Sequence, residues 1–209
     1  MRFRLGSPPD EFEPDAAWQP IREPGPLLVQ FYALPVLIVT TAGLILAWQL
    51  LIDLSAPPMT PQGDFGEAAI LIGALFSIPA IIVVHELLHA VAQPHWGLSA
   101  STVIGVWPQR LVCYAHYSGP LSRDRFLVVF VAPFLVISLL PLLVVALVDL
   151  PQPARFVAMW CSVWNGAFAC VDLLGIGFLL FQIPRRAIVQ NKGWRTYWKP
   201  SQPESNSAG

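Results

Sequence analysis

Charged side chains are scarce in this chain. They make up only 12% of its 209 residues, whereas hydrophobic residues make up 55% and the mean hydropathy is +0.59. Soluble domains usually carry about 25% charged residues, so this composition excludes an ordinary soluble protein and predicts one that resides in a lipid bilayer. The net charge is only −1, so the overall charge predicts no nucleic-acid partner.

Cysteine is also scarce. The chain has three cysteines, Cys113, Cys161 and Cys170. An odd number predicts no disulfide framework, and we expect these residues to be small apolar fillers. The first residues lack the apolar stretch of a secretory signal peptide, because two prolines and several acidic residues follow Arg4 closely. We therefore expect the first apolar run to be retained.

Four runs are long and apolar enough to cross a bilayer. A spanning helix needs about 20 mainly apolar residues, and the runs cover about residues 27–52, 68–93, 126–148 and 155–181. They predict an all-α membrane fold with about four transmembrane helices. The predicted parts are a flexible N-terminal arm over residues 1–26, a four-helix transmembrane domain over 27–184, and a basic, then disordered tail over 185–209.

Positive charge is distributed unevenly around these runs. Arginine and lysine precede the first run, lie between the second and third, and follow the fourth, while only Arg155 lies on the opposite side. The positive-inside rule then predicts an integral, multi-pass membrane protein with the N-terminus, the C-terminus and the central loop in the cytoplasm.

The central loop contains two β-favouring runs, residues 99–107 and 111–117, separated by Pro108-Gln109-Arg110. This pattern predicts a short cytoplasmic-side β-hairpin or an extended loop between the second and third helices. Its edge can receive a substrate peptide as an added strand, although a plain connector at the membrane surface fits the pattern equally well. His116 lies in this loop and is a candidate contact to a substrate or transition state.

A motif with metal-binding spacing, His85-Glu86-Leu87-Leu88-His89, lies near the end of the second run. Helix residues four apart are separated by about 40° around the axis, so both histidines can bind one cation. In the zincin pattern two imidazoles bind Zn²⁺, and the neighbouring carboxylate accepts a proton from the attacking water. Residues 68–84 carry no charge, and ionisable groups beside such a run are costly and functional by default. We therefore predict a zinc site with Glu86 as the catalytic base.

Two residues compete to be the third ligand that a catalytic zinc site usually has. Asp172 and His85 lie about ten and about nine residues from the ends of their runs, so at about 1.5 Å per residue their depths agree. His95 lies ten residues after His85, as in the metzincin pattern, but Pro94 breaks the helix before it. We favour Asp172, because an unpaired carboxylate at that depth would be costly, and keep His95 as the alternative metal ligand.

Asn165 lies seven residues before Asp172, which places both on the same helix face within about 20°. These motifs together resemble the zincin peptidase family of small bacterial membrane proteins, and more widely the site-2 protease-like intramembrane zinc metallopeptidases. The resemblance extends over most of residues 67–184: His-Glu-Leu-Leu-His-Ala, a short extended segment, Ser-Arg-Asp-Arg-Phe leading into Val-Ala-Pro-Phe, and finally Asn165 with Asp172. It implies the bacterial cytoplasmic membrane, zinc ligation by His85, His89 and Asp172, catalysis by Glu86, and a helper role for Asn165 toward the substrate or transition state.

The leading hypothesis is a membrane-embedded zinc metallopeptidase that hydrolyses peptide bonds of a membrane protein or peptide substrate within or next to the lipid bilayer. One alternative is a non-catalytic membrane scaffold or sensor with a structural metal site, in which Glu86 is dispensable. Another is a transporter with an intramembrane metal or proton site, although the chain shows no internal repeat of the kind transporters use.

Overall fold

The computed structural model of the protein describes residues 1–51 and 64–201. Among them, three helical segments are long and apolar enough to cross a membrane: Leu28–Leu51, Leu75–Ala92 and Arg123–Leu147. The first is helix α1, and the second is the C-terminal part of helix α2, Asp64–Ala92. The third consists of α3 (Arg123–Pro133), a π-helical segment (Phe134–Leu139) and α4 (Leu140–Leu147).

The predicted fourth span is bent. Helix α5 (Gln152–Phe168) and helix α6 (Cys170–Gln182) meet at an angle of 49°, and together they can form a fourth, broken span. Between them, Ala169 has a ψ of −2°, which lies outside the range of a regular α-helix. Counting the bent pair, the described residues thus contain up to four apolar spans, which is compatible with insertion into a membrane.

Large apolar side chains on the outside of the helices are exposed. Examples on α1 and α2 are Phe31, Val39, Leu50, Leu75 and Phe76. Exposed apolar belts of this kind are unfavourable in water and favourable in lipid, where the helices satisfy their own backbone hydrogen bonds. The exposed apolar surface of the bundle is therefore compatible with a location in a lipid bilayer, as the composition predicts.

The all-α prediction is wrong, because two β-sheets accompany the helices and make the fold mixed α and β. In the first sheet, β1 (Arg2–Leu5) pairs in parallel with β3 (Thr102–Trp107), which pairs antiparallel with β4 (Val112–Tyr117). The second sheet has four strands in the order β2 (Gln19–Pro20), β7 (Arg195–Pro200), β6 (Ala187–Lys192) and β5 (Leu121–Ser122).

The hairpin predicted in the central loop is confirmed. Strands β3 and β4 are joined by the 3-10 turn Pro108–Arg110, after which Leu111 has a positive φ of 53°. Strands β1, β2 and β5 were not predicted because they are short and pair with distant parts of the chain, as in the pairing of Arg2 with Val103. Strands β6 and β7 form a second hairpin of two six-residue strands, which we did not predict because the basic residues of this segment indicated a solvated tail. Strands β1, β2, β6 and β7 belong to segments that we expected to be an arm or a tail, whereas β5 lies in the central loop just before α3. Residues 202–209 of the predicted tail lie outside the described part.

Both sheets lie at the end of the bundle where α2 and α6 end and α1 and α3 begin. Gln93, just after α2, donates to the carbonyl of Ala115 in β4, and the Gln182 side chain at the end of α6 accepts from the backbone of Arg22. An apolar cluster joins the second sheet to the helices: Leu121, Phe126, Val129, Leu179, Ile183, Ala187 and Val189. The N-terminal segment, the central loop and the C-terminal segment therefore share one side of the bundle.

Candidate metal centre

Three side chains from two helices converge in the helical bundle. His85 and His89 lie one turn apart on α2, and Asp172 lies in the first turn of α6. The Nε2 atom of His85 is 3.0 Å from Oδ2 of Asp172 and 3.1 Å from Nε2 of His89, while the latter is 3.4 Å from the same carboxylate oxygen. All three potential ligand atoms lie within 4.8 Å of one another, so the three residues are positioned to bind one metal ion.

The opposite nitrogen of each imidazole is held by an oxygen. Nδ1 of His85 is 2.9 Å from Oδ1 of Asn165, and Nδ1 of His89 is 2.7 Å from the backbone carbonyl oxygen of Val129. A carbonyl oxygen can only accept a hydrogen bond, so each Nδ1 carries a hydrogen and donates it. In a neutral imidazole the Nε2 atom then has a free lone pair.

Two nitrogen lone pairs and a carboxylate oxygen thus face a common position. Such groups repel one another unless a cation lies between them, and two imidazoles plus one carboxylate are a ligand set that suits zinc. A hydrogen bond from the outer ring nitrogen to an oxygen is also typical of histidines that bind metals, because it sets the tautomer and the ring orientation. The chemistry of the residues present therefore fits a zinc ion.

The orientation of Asn165 is fixed by the two hydrogens of its amide group. Its Nδ2 donates to the backbone oxygen of Pro133 at 3.1 Å and to Oγ of Ser138 at 2.8 Å. With both hydrogens used in this way, Oδ1 faces His85. Asn165 is fully buried, so it connects the metal-binding helix α2 to the π-helical segment without water.

A network of three further polar side chains supports Asn165. The hydroxyls of Ser138 and Ser162 each donate to the other residue's backbone oxygen, at 2.9 and 2.7 Å, and Nε1 of Trp48 donates to Oγ of Ser162 at 2.9 Å. The sequence interpretation did not identify these residues. The signal was present: Ser138 lies in an otherwise apolar run between two prolines, and Ser162 precedes Asn165 by three residues on the same helix. Polar side chains in such runs usually bond across helices.

Glu86 lies next to His85 in the sequence, close enough to all three potential ligands for electrostatic interaction. Its Oε2 atom is buried and has no hydrogen-bond partner among the described residues. Cys113 of β4 lies near it: burial raises the pKa of the Cys113 thiol, and the negative charge of Glu86 raises it further. Glu86 is thus close both to the potential metal ligands and to the strand β4.

His116 is on the other face of β4. Successive side chains of a strand point to opposite faces, so His116 shares its face with Tyr114, whose hydroxyl donates to the carbonyl oxygens of Gly6 and Ser7. His116 is buried there, and its burial, with a smaller effect from Arg4, lowers its pKa to about 4. The structure therefore places it against the N-terminal segment, on the face opposite Cys113.

His95, the alternative third ligand, lies in the 3-10 turn Pro94–Gly97 that follows α2, with a φ of 57° and an exposed side chain. It is not part of the cluster of potential ligands found among the described residues, which consists of His85, His89 and Asp172. The helix ends before His95, as the position of Pro94 predicts.

Comparison with known proteins agrees with this geometry. Residues 78–188, more than half of the chain, match the sequence model of the family described as "Putative zincin peptidase". The matched region contains His85, Glu86, His89, Asn165 and Asp172, and a zincin family implies zinc as the cofactor. No curated protein and no solved structure matches the chain significantly. The chain belongs to the zincin peptidase family.

Proposed function

We propose that this protein is a membrane-embedded zinc metallopeptidase that hydrolyses peptide bonds within or next to the membrane, with Glu86 as the catalytic base. The observation that carries the proposal is the anchoring of both Nδ1 atoms, which leaves Nε2 of His85 and of His89 facing the carboxylate of Asp172. Three protein ligands are typical of catalytic zinc sites, which keep a position open, whereas structural sites use four.

Glu86 performs the proton transfers. A zinc ion held by His85, His89 and Asp172 would supply Lewis acidity, lowering the pKa of a water molecule and polarising the scissile carbonyl. Glu86 accepts a proton from the water molecule while the oxygen of that water attacks the carbonyl carbon. Glu86 then delivers the proton to the amine nitrogen when the carbon–nitrogen bond breaks. Its buried oxygen without a partner, beside His85, supports this role over a structural one.

The substrate approaches along β4. This strand is an outer strand of its sheet, and Cys113 within it lies near Glu86. A membrane protein or peptide can add to such an edge as an extended strand. An extended substrate is needed because a helical segment keeps its carbonyl oxygens in its own hydrogen bonds.

Hydrolysis then takes place near the cytoplasmic surface of the membrane. The sheets and both described chain ends share the side of the bundle on which α2 ends, and His89 lies within the last turn of that helix. Basic residues are concentrated on that side in the sequence, which supports a cytoplasmic orientation by the positive-inside rule.

Metal content per chain tests the ligand set. Protein purified without a His-tag in mild detergent should hold about one zinc per chain, as the cluster of three ligands predicts. His85→Ala and Asp172→Asn should lose the metal, whereas His95→Ala should keep it. Wild-type protein that binds no zinc, even after refilling, would exclude the metallopeptidase.

Activity of Glu86→Gln tests the catalytic assignment. This variant should keep its zinc, because Glu86 is not a ligand, and should lose hydrolysis of an unfolded protein substrate such as casein by more than about 100-fold, the usual range for a lost general base. If Glu86→Gln retains both the metal and full hydrolytic activity, Glu86 is not the catalytic base. If neither the wild type nor Glu86→Gln hydrolyses the substrate while both hold zinc, the site is structural and the chain is a scaffold.

A further inference from the structure

A polar cavity lies outside the metal centre, where the N-terminal segment meets strands β4 and β6. Its volume is about 170 Å³. This is smaller than the roughly 300–1,000 Å³ of pockets for drug-sized ligands and several times the roughly 30 Å³ that one water occupies in the liquid. The cavity therefore has the size of one long side chain. Its polar and aromatic lining consists of Glu11, Phe12, His116, Ser118, Gln190 and Asn191.

Two buried oxygen atoms of this lining lack partners. Neither Oγ of Ser118 nor Oδ1 of Asn191 has a hydrogen-bond partner within the described chain. The backbone around them is fixed, since Nε2 of Gln190 donates to the carbonyl oxygen of Ser118 at 2.8 Å. Buried polar atoms are almost always satisfied, so two such atoms at one cavity indicate an occupant that donates hydrogen bonds.

The charges around the cavity favour a positive occupant. The lining contains one acidic side chain, that of Glu11, and no lysine or arginine. Nearby, Lys192 is already paired with Glu13 at 2.7 Å. His116 has its pKa lowered to about 4, mainly by burial and partly by Arg4, so at neutral pH its imidazole carries no charge. The lining thus offers acceptors and one negative charge.

The aromatic wall suits a flat or alkyl cation as well. The ring of Phe12 is held by edge-on contacts with Trp18, at 4.9 Å between ring centroids, and with Tyr197, at 6.1 Å. A fixed aromatic ring is a favourable surface for a guanidinium group or for the methylene groups of a lysine side chain.

We propose that this cavity binds the cationic end of an arginine or lysine side chain, with Glu11 as the counter-ion and Ser118 and Asn191 as acceptors. The source of that side chain in the cell is the peptide substrate, and this part of the inference rests on the proposed function. His116 and Ser118 lie at the end of β4, three to five residues from Cys113. At about 3.3 Å per residue, the cavity is about 10–17 Å along the strand from Cys113, the residue of β4 that lies near Glu86.

The register of an added strand is consistent with this arrangement. In an extended substrate on the edge of β4, side chains alternate between the two faces of the sheet. A residue an odd number of positions from the one facing Glu86 therefore points to the face that carries His116. The cavity selects substrates with a basic residue three or five positions from the residue that faces Glu86.

Binding by a protein that does not cleave separates this inference from catalysis. The Glu86→Gln protein is placed in nanodiscs of uncharged phosphatidylcholine. A fluorescent, β-favouring peptide with one arginine is compared with the same peptide carrying citrulline, which has nearly the same shape and no charge. The arginine peptide should bind about threefold to fivefold more tightly, the size of one partly exposed charged contact. Equal binding of the two peptides would overturn the proposal.

Glu11→Gln and Asp10→Asn form a matched pair of variants. Both residues are exposed, and of the two only Glu11 lines the cavity. Glu11→Gln should remove the preference for arginine, and Asp10→Asn should leave it within about twofold, as expected for a screened surface charge. Similar losses in both variants would show a diffuse electrostatic effect and overturn the site.

Agmatine, a small molecule with the same guanidinium group, shows whether the ligand of the cavity is a substrate side chain or a free cation. Calorimetric binding of agmatine that depends on Glu11, together with a preference for the arginine peptide, supports the substrate subsite. Binding of agmatine without any peptide preference would assign the cavity to a free cation and overturn its link to the substrate. The agmatine measurement stays valid if Glu86→Gln proves to retain activity, because agmatine has no peptide bond to hydrolyse.

Discussion

Oδ1 of Asn165 lies 2.9 Å from Nδ1 of His85, at a point where two irregular helices meet. Asn165 lies in the last turn of α5, just before the bend at Ala169, and its amide group reaches Ser138 in the π-helical segment. Single π-helical turns are frequently found at functional sites. Here the irregular backbone brings an acceptor to a potential metal ligand that lies on a third helix, α2.

Replacing Asn165 by leucine should weaken zinc binding. The substitution keeps a similar volume but removes the oxygen that holds Nδ1 of His85, so the ring can rotate and its tautomer is no longer set. Loss of such an outer contact typically costs about 10–100-fold in metal affinity. Competition for zinc with a chromophoric chelator measures this change.

Two further variants show whether the effect of Asn165→Leu is local. Phe156→Leu alters an exposed side chain on the opposite face of the same helix, nine residues before Asn165, and should leave zinc affinity unchanged. Ser138→Ala removes one of the two acceptors of the Asn165 amide and should give a smaller loss than Asn165→Leu. Wild-type affinity in Asn165→Leu would mean that the orientation of His85 does not depend on this contact.

Helical geometry was sufficient to anticipate much of the cluster. The spacing of four residues places His85 and His89 on one face of α2, and the matched depths of two apolar runs place Asp172 at the same level. The hydrogen bond of His89 could not be predicted in this way, because its acceptor is the backbone carbonyl of Val129 and every residue has such a carbonyl. The bend at Ala169 was also not visible, since no proline or glycine occupies the break.

Apolar periodicity could not predict the sheets. Strands β1, β2 and β5 have only two to four residues, and each is stabilised by partners far away in the chain. Short segments of this kind have too little local pattern to be distinguished from loops. The hairpin β3–β4 was recognisable because both strands are longer, adjacent and rich in β-favouring residues. The hairpin β6–β7 has strands of the same length, but its basic residues indicated a tail at the membrane surface and concealed it. The face to which His116 points depended on a register that the sequence pattern left open.

Gln93 should hold the hairpin against α2. The residue is buried; its Nε2 donates to the carbonyl oxygen of Ala115 at 3.1 Å, and its Oε1 accepts from Oγ1 of Thr102 at 2.9 Å. Gln93→Leu removes both hydrogen bonds and leaves Oγ1 of Thr102 with only the longer contact to Oγ of Ser99, at 3.4 Å. The expected cost is about 1–3 kcal/mol for each buried group that loses its partner. We expect faster hydrogen exchange in residues 102–117, and hydrogen-exchange mass spectrometry measures it. The exposed Gln109→Leu in the turn is the control, and equal exchange in the two variants would contradict the role of Gln93.

Gly166 should be required for close contact between α1 and α5. A Cβ atom at this position would collide with Cδ1 of Leu44, a buried side chain of α1. Gly166→Ala should therefore destabilise the protein by about 1–3 kcal/mol through overpacking, and it should weaken zinc binding because Asn165 is the adjacent residue. Thermal unfolding and zinc competition measure the two effects.

Gly177→Ala provides the control for Gly166→Ala, because a Cβ atom there meets no other group within 4 Å. Alanine in place of an uncrowded helical glycine should be neutral or stabilising by up to about 1 kcal/mol. If the two variants have equal unfolding temperatures, the contact between Gly166 and Leu44 is not tight.

Stability should decrease as the pH rises through the titration of Glu23. This carboxyl group accepts hydrogen bonds from the backbone nitrogen of Thr196 at 2.5 Å and from its hydroxyl at 3.2 Å, yet desolvation by burial raises its pKa from 4.5 to about 7. The folded protein therefore binds this proton more tightly than the unfolded chain. Below pH 4.5 the group contributes no difference, and between pH 4.5 and about 7 the unfolded chain is increasingly favoured.

The unfolding temperature measured from pH 5 to pH 8, for wild type and for Glu23→Gln, isolates this contribution. His116 acts in the opposite direction: its lowered pKa of about 4 stabilises the fold above pH 6.5, and that contribution is lost as the pH falls toward 4. The contribution of His116 is the same in wild type and in Glu23→Gln, so it cancels when the stabilities of the two proteins are subtracted. After allowance for partial exposure, wild type should lose roughly 1–2 kcal/mol more than Glu23→Gln over this range, or about 2–8 °C for a chain of this size. Parallel curves would mean that Glu23 ionises as readily in the folded protein as in the unfolded chain.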